Sequence, residues 1–173
     1  MQFSNRQAVC ASSAVLFFLV ACSESQVTRR GNFQSDYLVA RQALETGNYS
    51  KASRHYKGLM PESGPLTTRI ELEYAHSLLR DEDFTGAAQT ARGIAATQSG
   101  TARAAALAVQ GTAEHELGLA IMNTAPGDPS AFAYLRSASG ALGEAIADSG
   151  DLDPLGALKV RKDSIDGVLA RAG

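Results

Sequence analysis

The stretch Ala40–Leu59, ARQALETGNYSKASRHYKGL, decides the reading of this chain. Ala40, Ala43 and Leu44 recur at helical spacing, so they share one face of a first helix. Gly47 then ends that helix, because glycine takes the left-handed conformation that follows a helix C-terminus without steric cost. Ser50 is placed to cap a second helix, on which Ala52, Tyr56 and Leu59 recur on one face. The pattern returns. Ala52 and Ala87, the small residues after each turn, stand 35 residues apart, the interval of a stacked helix-pair repeat.

Working outward, the second pair is expected from Thr67 to Gln98. Pro61-Glu62-Ser63-Gly64-Pro65 punctuates the chain before it. Its first helix carries Glu71, Ala75, Leu78 and Leu79. Asp81-Glu82-Asp83 makes the turn, and Phe84, Ala87, Ala91 and Ile94 follow. A third first-helix starts near Thr101, with Gly111 in the place held by Ala40 and Ala75, where helices cross closely. It runs on through Ile121-Met122 into a longer loop, Thr124 to Pro129. Asp128 before Pro129 is a helix start, a side-chain cap followed by a proline in the first turn. The partner helix is expected over Ser130 to Asp148, with Phe132, Leu135, Ala138, Leu142 and Ile146 inward. Asp153-Pro154 repeats the signal before a last helix, Leu155 to Ala170.

Composition agrees with an all-α chain. Of 173 residues 6% are aromatic, none is Trp, and small residues abound, which suits close helix packing better than a sheet sandwich. The formal net charge of −2 supports no nucleic-acid partner. His55, His76 and His115 form no His-x-x-x-His pair, and Glu114-His115-Glu116 diverges around a helix, so no metal is expected. Neither a nucleophile elbow, a phosphate loop nor a dinucleotide fingerprint occurs, so the chain is not expected to be an enzyme and no cofactor is expected.

The N-terminus reads as an address. Met1 to Gln7 is polar with one positive charge, Arg6. Ala8 to Ala21 is apolar, in the layout of a secretory signal peptide over 1–21. Without it the net charge of −2 becomes −3, since Arg6 is its one charged residue. Leu19-Val20-Ala21-Cys22 resembles the lipobox of bacterial lipoproteins, which implies covalent lipid on Cys22 as the first mature residue. With Cys10 in the leader, no thiol pair is then left for a disulfide. Two or more acyl chains give stable anchoring where one is marginal. Ser23 in place of aspartate implies, by the sorting rule of that family, the outer membrane, facing the periplasm. Residues 22–34, polar and without apolar period, are expected to form a flexible tether, and 35–173 the helical domain.

Taken together, the repeats and leader resemble a tetratricopeptide repeat lipoprotein. The likeness covers Ser35 to Gln98 best. The third repeat matches in its first helix only, Pro61 has no counterpart near Gln98, and Asp36, Glu71 and Leu107 stand where the family usually has a large aromatic. The resemblance implies a right-handed α-solenoid of about three helix hairpins plus a C-terminal capping helix. It also implies a concave groove lined by Tyr37, Arg41 and Leu44, then Leu72, His76, Leu79 and Arg80, then Ala108, Thr112 and His115. An envelope protein or peptide with acidic ends would suit it, as in the accessory lipoproteins of Tad (Flp) pili and the pilotins of secretion machines. The alternative is a lipoprotein regulator of a peptidoglycan enzyme, or a periplasmic carrier of a small ligand.

Overall fold

The turn that closes the first helix is built as its glycine requires. Gly47 has φ +78°, its N–H donates to Leu44 O at 3.2 Å, and Asn48 N–H donates to Ala43 O at 2.8 Å. This reciprocal pair satisfies the last carbonyls of the helix. Thirty-five residues on, the same turn is built again. Glu82 has φ 63°, with Glu82 N–H on Leu79 O at 3.3 Å and Asp83 N–H on Leu78 O at 3.0 Å. The residue after each left-handed position caps the next helix. Asn48 Oδ1 accepts from Lys51 N–H at 3.3 Å, and Asp83 Oδ1 from Gly86 N–H at 2.9 Å. Ser50, expected as the first of these caps, instead lies inside the helix, because the turn uses only Gly47 and Asn48. Its hydroxyl donates to the Asp81 carboxylate at 2.8 Å, tying one turn to the other.

The computed structural model describes the backbone of residues 18–172 and side chains from Gly31 to Ala172. These form seven helices and no strand among the described residues: α1 (Phe18–Glu45), α2 (Tyr49–Leu59), α3 (Thr67–Arg80), α4 (Phe84–Thr97), α5 (Gly100–Thr124), α6 (Pro129–Asp148) and α7 (Ala157–Ala172). Two 3-10 turns, Met60–Glu62 and Gly64–Leu66, occupy the proline-bearing punctuation before α3. Most of the leader expected over 1–21, and the side chains of Cys22 and of the expected tether as far as Arg30, lie outside the described residues. Phe33, within the expected tether, already packs on the first core cluster. No helix among the described residues is long and apolar enough to cross a membrane.

Each helix packs on the next in sequence, and α3 also meets α5. The core is mostly alanine, punctuated by a few large side chains. Ala40, Ala43 and Ala52 surround Tyr56, Leu59 and Ile70 at one end, and Ala138 sits with Leu135, Leu142 and Ile165 at the other. The most extensive contact is α5 on α6, where Gly111 and Gly118 lie two turns apart. A Cβ at Gly111 would stand 2.7 Å from Leu142 Cγ and 3.0 Å from the Ala138 carbonyl oxygen. At Gly118 it would stand 2.8 Å from Leu135 Cδ2. Bare glycine backbone lets the two helices come this close. Asp128 caps α6 through Ser130 N–H at 2.8 Å, and the Asp153 carboxylate accepts from Leu158 and Lys159 N–H groups at the start of α7.

Candidate functional site

Helices α1, α3 and α5 line a groove of about 580 Å³, closed at one side by Tyr49 from α2. On α3, Leu72, Glu73, His76 and Arg80 reach it, a spacing that keeps them on one stripe of the helix. Arg41, Leu44 and Glu45 come from α1, one turn apart, and Ala105 and Val109 from α5.

Glu73 anchors the α1 side. Its carboxylate accepts from the Tyr37 hydroxyl at 2.9 Å and the Tyr56 hydroxyl at 2.5 Å, while Arg41 Nη1 stands 3.4 Å and Arg69 Nε 3.4 Å away. Arg69 also donates to the Tyr37 hydroxyl at 2.9 Å, its guanidinium 5.6 Å from that ring's centre. Tyr37 and Tyr56 meet edge to face, with centroids 6.2 Å apart. Burial alone would push the Glu73 carboxyl up, but the hydroxyls of Tyr56 and Tyr37 and the charge of Arg41 outweigh it and hold the group below the usual carboxylate range. The same contact, with burial as the larger cause, raises Tyr56 above the ordinary phenol value. Glu73 is therefore a satisfied anion that fixes three helices.

Arg80 differs. Its guanidinium lies over the Tyr49 ring, 5.1 Å from the centroid, and Nη2 donates to the Tyr49 hydroxyl at 2.7 Å. It has no carboxylate partner among the described residues. The ring face and the hydroxyl hold the guanidinium in place while its other N–H groups remain able to donate to a carboxylate. His76, one turn earlier, is pushed below the ordinary imidazole value by desolvation, then by Arg80 and Arg41, with Glu73 pulling the other way. At neutral pH the groove thus presents a neutral ring between two arginines.

Of the residues expected to line a groove, Arg41, Leu44, Leu72, His76 and Arg80 are brought together here. Tyr37 stands next to them as a ligand of Glu73, and also lines a smaller apolar pocket of about 230 Å³ with Phe33, Leu66, Arg69 and Ile70. Leu79 packs on the cluster of Leu78, Ala87, Ala88 and Ala113, and Ala108 on that of Ile94, Leu107 and Ala141. Thr112 is half-buried on α5. His115 lies further along α5, against Arg161 of α7. The third helix meets the groove through Ala105 and Val109, three residues before the expected Ala108 and Thr112, a displacement of about one turn. Repeat spacing alone carried no signal for that shift. Glu73 and Tyr49 were missed as well. Glu73 adjoins Leu72 and lies three residues before His76, so helical geometry offered it, whereas Tyr49, next to the first turn, carried no signal for the groove.

Among the described residues no cluster of three His, Cys, Asp or Glu side chains is arranged to hold a metal ion. Compared with protein-family models, with curated proteins and with solved structures, the chain matches none.

Proposed function

We propose that this protein is a non-enzymatic adaptor, whose groove between α1, α3 and α5 holds a segment of an envelope protein. In this reading the helix pairs stack as a right-handed solenoid of tetratricopeptide-like hairpins, and α7 caps the end. Two observations support the stacking: the turn built twice at a 35-residue interval, and the contact of α3 with α5 past the intervening α4. The observation that carries the function is Arg80. A guanidinium held over Tyr49 in a groove, without an acid partner among the described residues, suits a partner that brings its own carboxylates. Arg41 and Arg80 are both exposed to solvent. An open groove that carries Tyr49, Arg41 and Arg80 favours a scaffold over a carrier, which would need a closed apolar cavity.

The lipid expected on Cys22 completes the reading. Anchored at the outer membrane and facing the periplasm, the groove is held at high effective concentration beside a membrane-bound partner, as in the assembly of a pilus or secretion machine. The test uses lipidated protein as bait in detergent-solubilised membranes. Wild-type protein is expected to retain an envelope protein, and Arg80→Glu to retain at least about tenfold less, the cost of a buried charge contact turned repulsive. Equal recovery by both proteins contradicts the groove. A Cys22→Ala variant that stays with the membrane fraction contradicts the anchor and leaves the groove standing.

A further inference from the structure

Arg161 of α7 places its Nη1 2.6 Å from His115 Nδ1 and 2.7 Å from Glu116 Oε1, both on α5. A guanidinium can only donate, and it keeps its proton at any pH a protein survives. Nδ1 must therefore accept, so His115 is neutral here with its proton on Nε2. An imidazolium would set an N–H against an N–H and a positive charge against a positive charge. We propose that His115 makes the seating of α7 acid-sensitive, so that protonation of its ring expels Arg161 and loosens the terminal helix.

The surroundings support a single latch. Among the described residues, the hydrogen bonds that join α7 to α5 are both made by Arg161. The other polar link of α7 runs to α6, where Ser139 donates to Asp166; Ile165 fills the cluster of Leu135, Ala138 and Leu142, on which Met122 of α5 also packs. The charges that act on His115 are Arg161 on α7 and Glu116 on its own helix. On α4, Arg92 is committed to Glu114. On α6, Glu144 and Asp148 are committed to Arg103, and Arg136 is exposed. On α7, Lys159 and Lys162 pair within their own helix, with Asp163 and Asp166. Desolvation first, and Arg161 second, push the ring below its ordinary value of 6.5, against the pull of Glu116. The sign follows. The unfolded chain binds this proton more readily than the folded one, so the contribution is complete above pH 6.5 and is lost as pH falls through that value toward the depressed folded one. A loosened α7 uncovers Leu135 and Leu142 on α6, an apolar stripe that opens in mild acid.

Hydrogen exchange followed by mass spectrometry tests this on the full chain at pH 7.5 and pH 5.5, with rates corrected for the intrinsic pH dependence of exchange. Peptides of α7 in the wild type are expected to lose about tenfold protection at the lower pH, the loss of one hydrogen bond to a charged group, while α3 and α4 change little. In His115→Gln, whose side-chain oxygen accepts from Arg161 without titrating, α7 is expected to keep its protection at both values. In Arg161→Met it is expected to be weakly protected at both. Wild-type α7 that is equally protected at the two pH values overturns the proposal. So does His115→Gln that loosens in acid as the wild type does.

Discussion

At the scale of single residues, two positions are held against their own preference. Glu114 is wholly buried on α5, with Arg92 and Gln110 on one oxygen and no partner for the other among the described residues. Arg92 is more than half exposed, so the two partners have unequal need of each other. Removing Arg92 strands a buried anion, whereas removing the anion returns Arg92 to water. Arg92→Ala is therefore expected to cost about 3 kcal/mol in urea unfolding, and Glu114→Gln less than about 1 kcal/mol. Equal losses would mean that the pair stabilises as a unit. Glu82 is the second position, a left-handed residue with a Cβ where the first turn has Gly47. Glu82→Gly is expected to raise stability by about 0.5–1 kcal/mol, the relief of left-handed strain less the added freedom of the unfolded chain. A fall in the melting temperature would show that Glu82 earns its place through a contact. Divergence around the helix was legible from sequence for Glu114, which turns inward while His115 and Glu116 meet Arg161. Its burial was not, because the partner lies on another helix.

At the scale of elements, Glu73 joins α1, α2 and α3 through Tyr37, Tyr56 and Arg41. Its carboxyl is held below the ordinary 4.5, so this contribution is whole above that pH and is lost as pH falls below it. Glu73→Gln should therefore be less stable than wild type at pH 7, and the difference should shrink as unfolding is measured from pH 5 to pH 3. A gap that stays constant across that range would mean the charge of Glu73 contributes nothing. The helices themselves were legible. Thr67, Pro129 and the turn at Asp81-Glu82-Asp83 were read correctly because glycine, proline and capping residues act on their own few neighbours. The expected capping by Ser50 failed by two residues, since both it and Asn48 offer a side-chain oxygen, and only the closing geometry of the turn at Gly47 chooses between them. The tyrosine–arginine cage around Glu73 was hidden for a different reason. Tyr37 and Arg41 lie 36 and 32 residues from it, and periodicity reports which face a residue occupies without saying what it meets.

At the scale of the whole molecule, the repeat located half of the groove. Arg41, Leu44, Leu72, His76 and Arg80 come from the two helices whose spacing is regular. Helix α5 opens on Gly100, at φ +56°, and packs most extensively on α6 through Gly111 and Gly118, so its register against α3 is set by a partner that the repeat does not describe. The proposed adaptor works only through the α1–α3–α5 groove. Photocrosslinking in living cells tests this most directly, with a photoreactive residue at His76 in the groove and, separately, at the exposed Ser137 of α6. A discrete envelope-protein adduct is expected from His76 that disappears in Arg80→Glu, and none from Ser137. The same adduct from Ser137 but not His76, or one that survives Arg80→Glu unchanged, would contradict it.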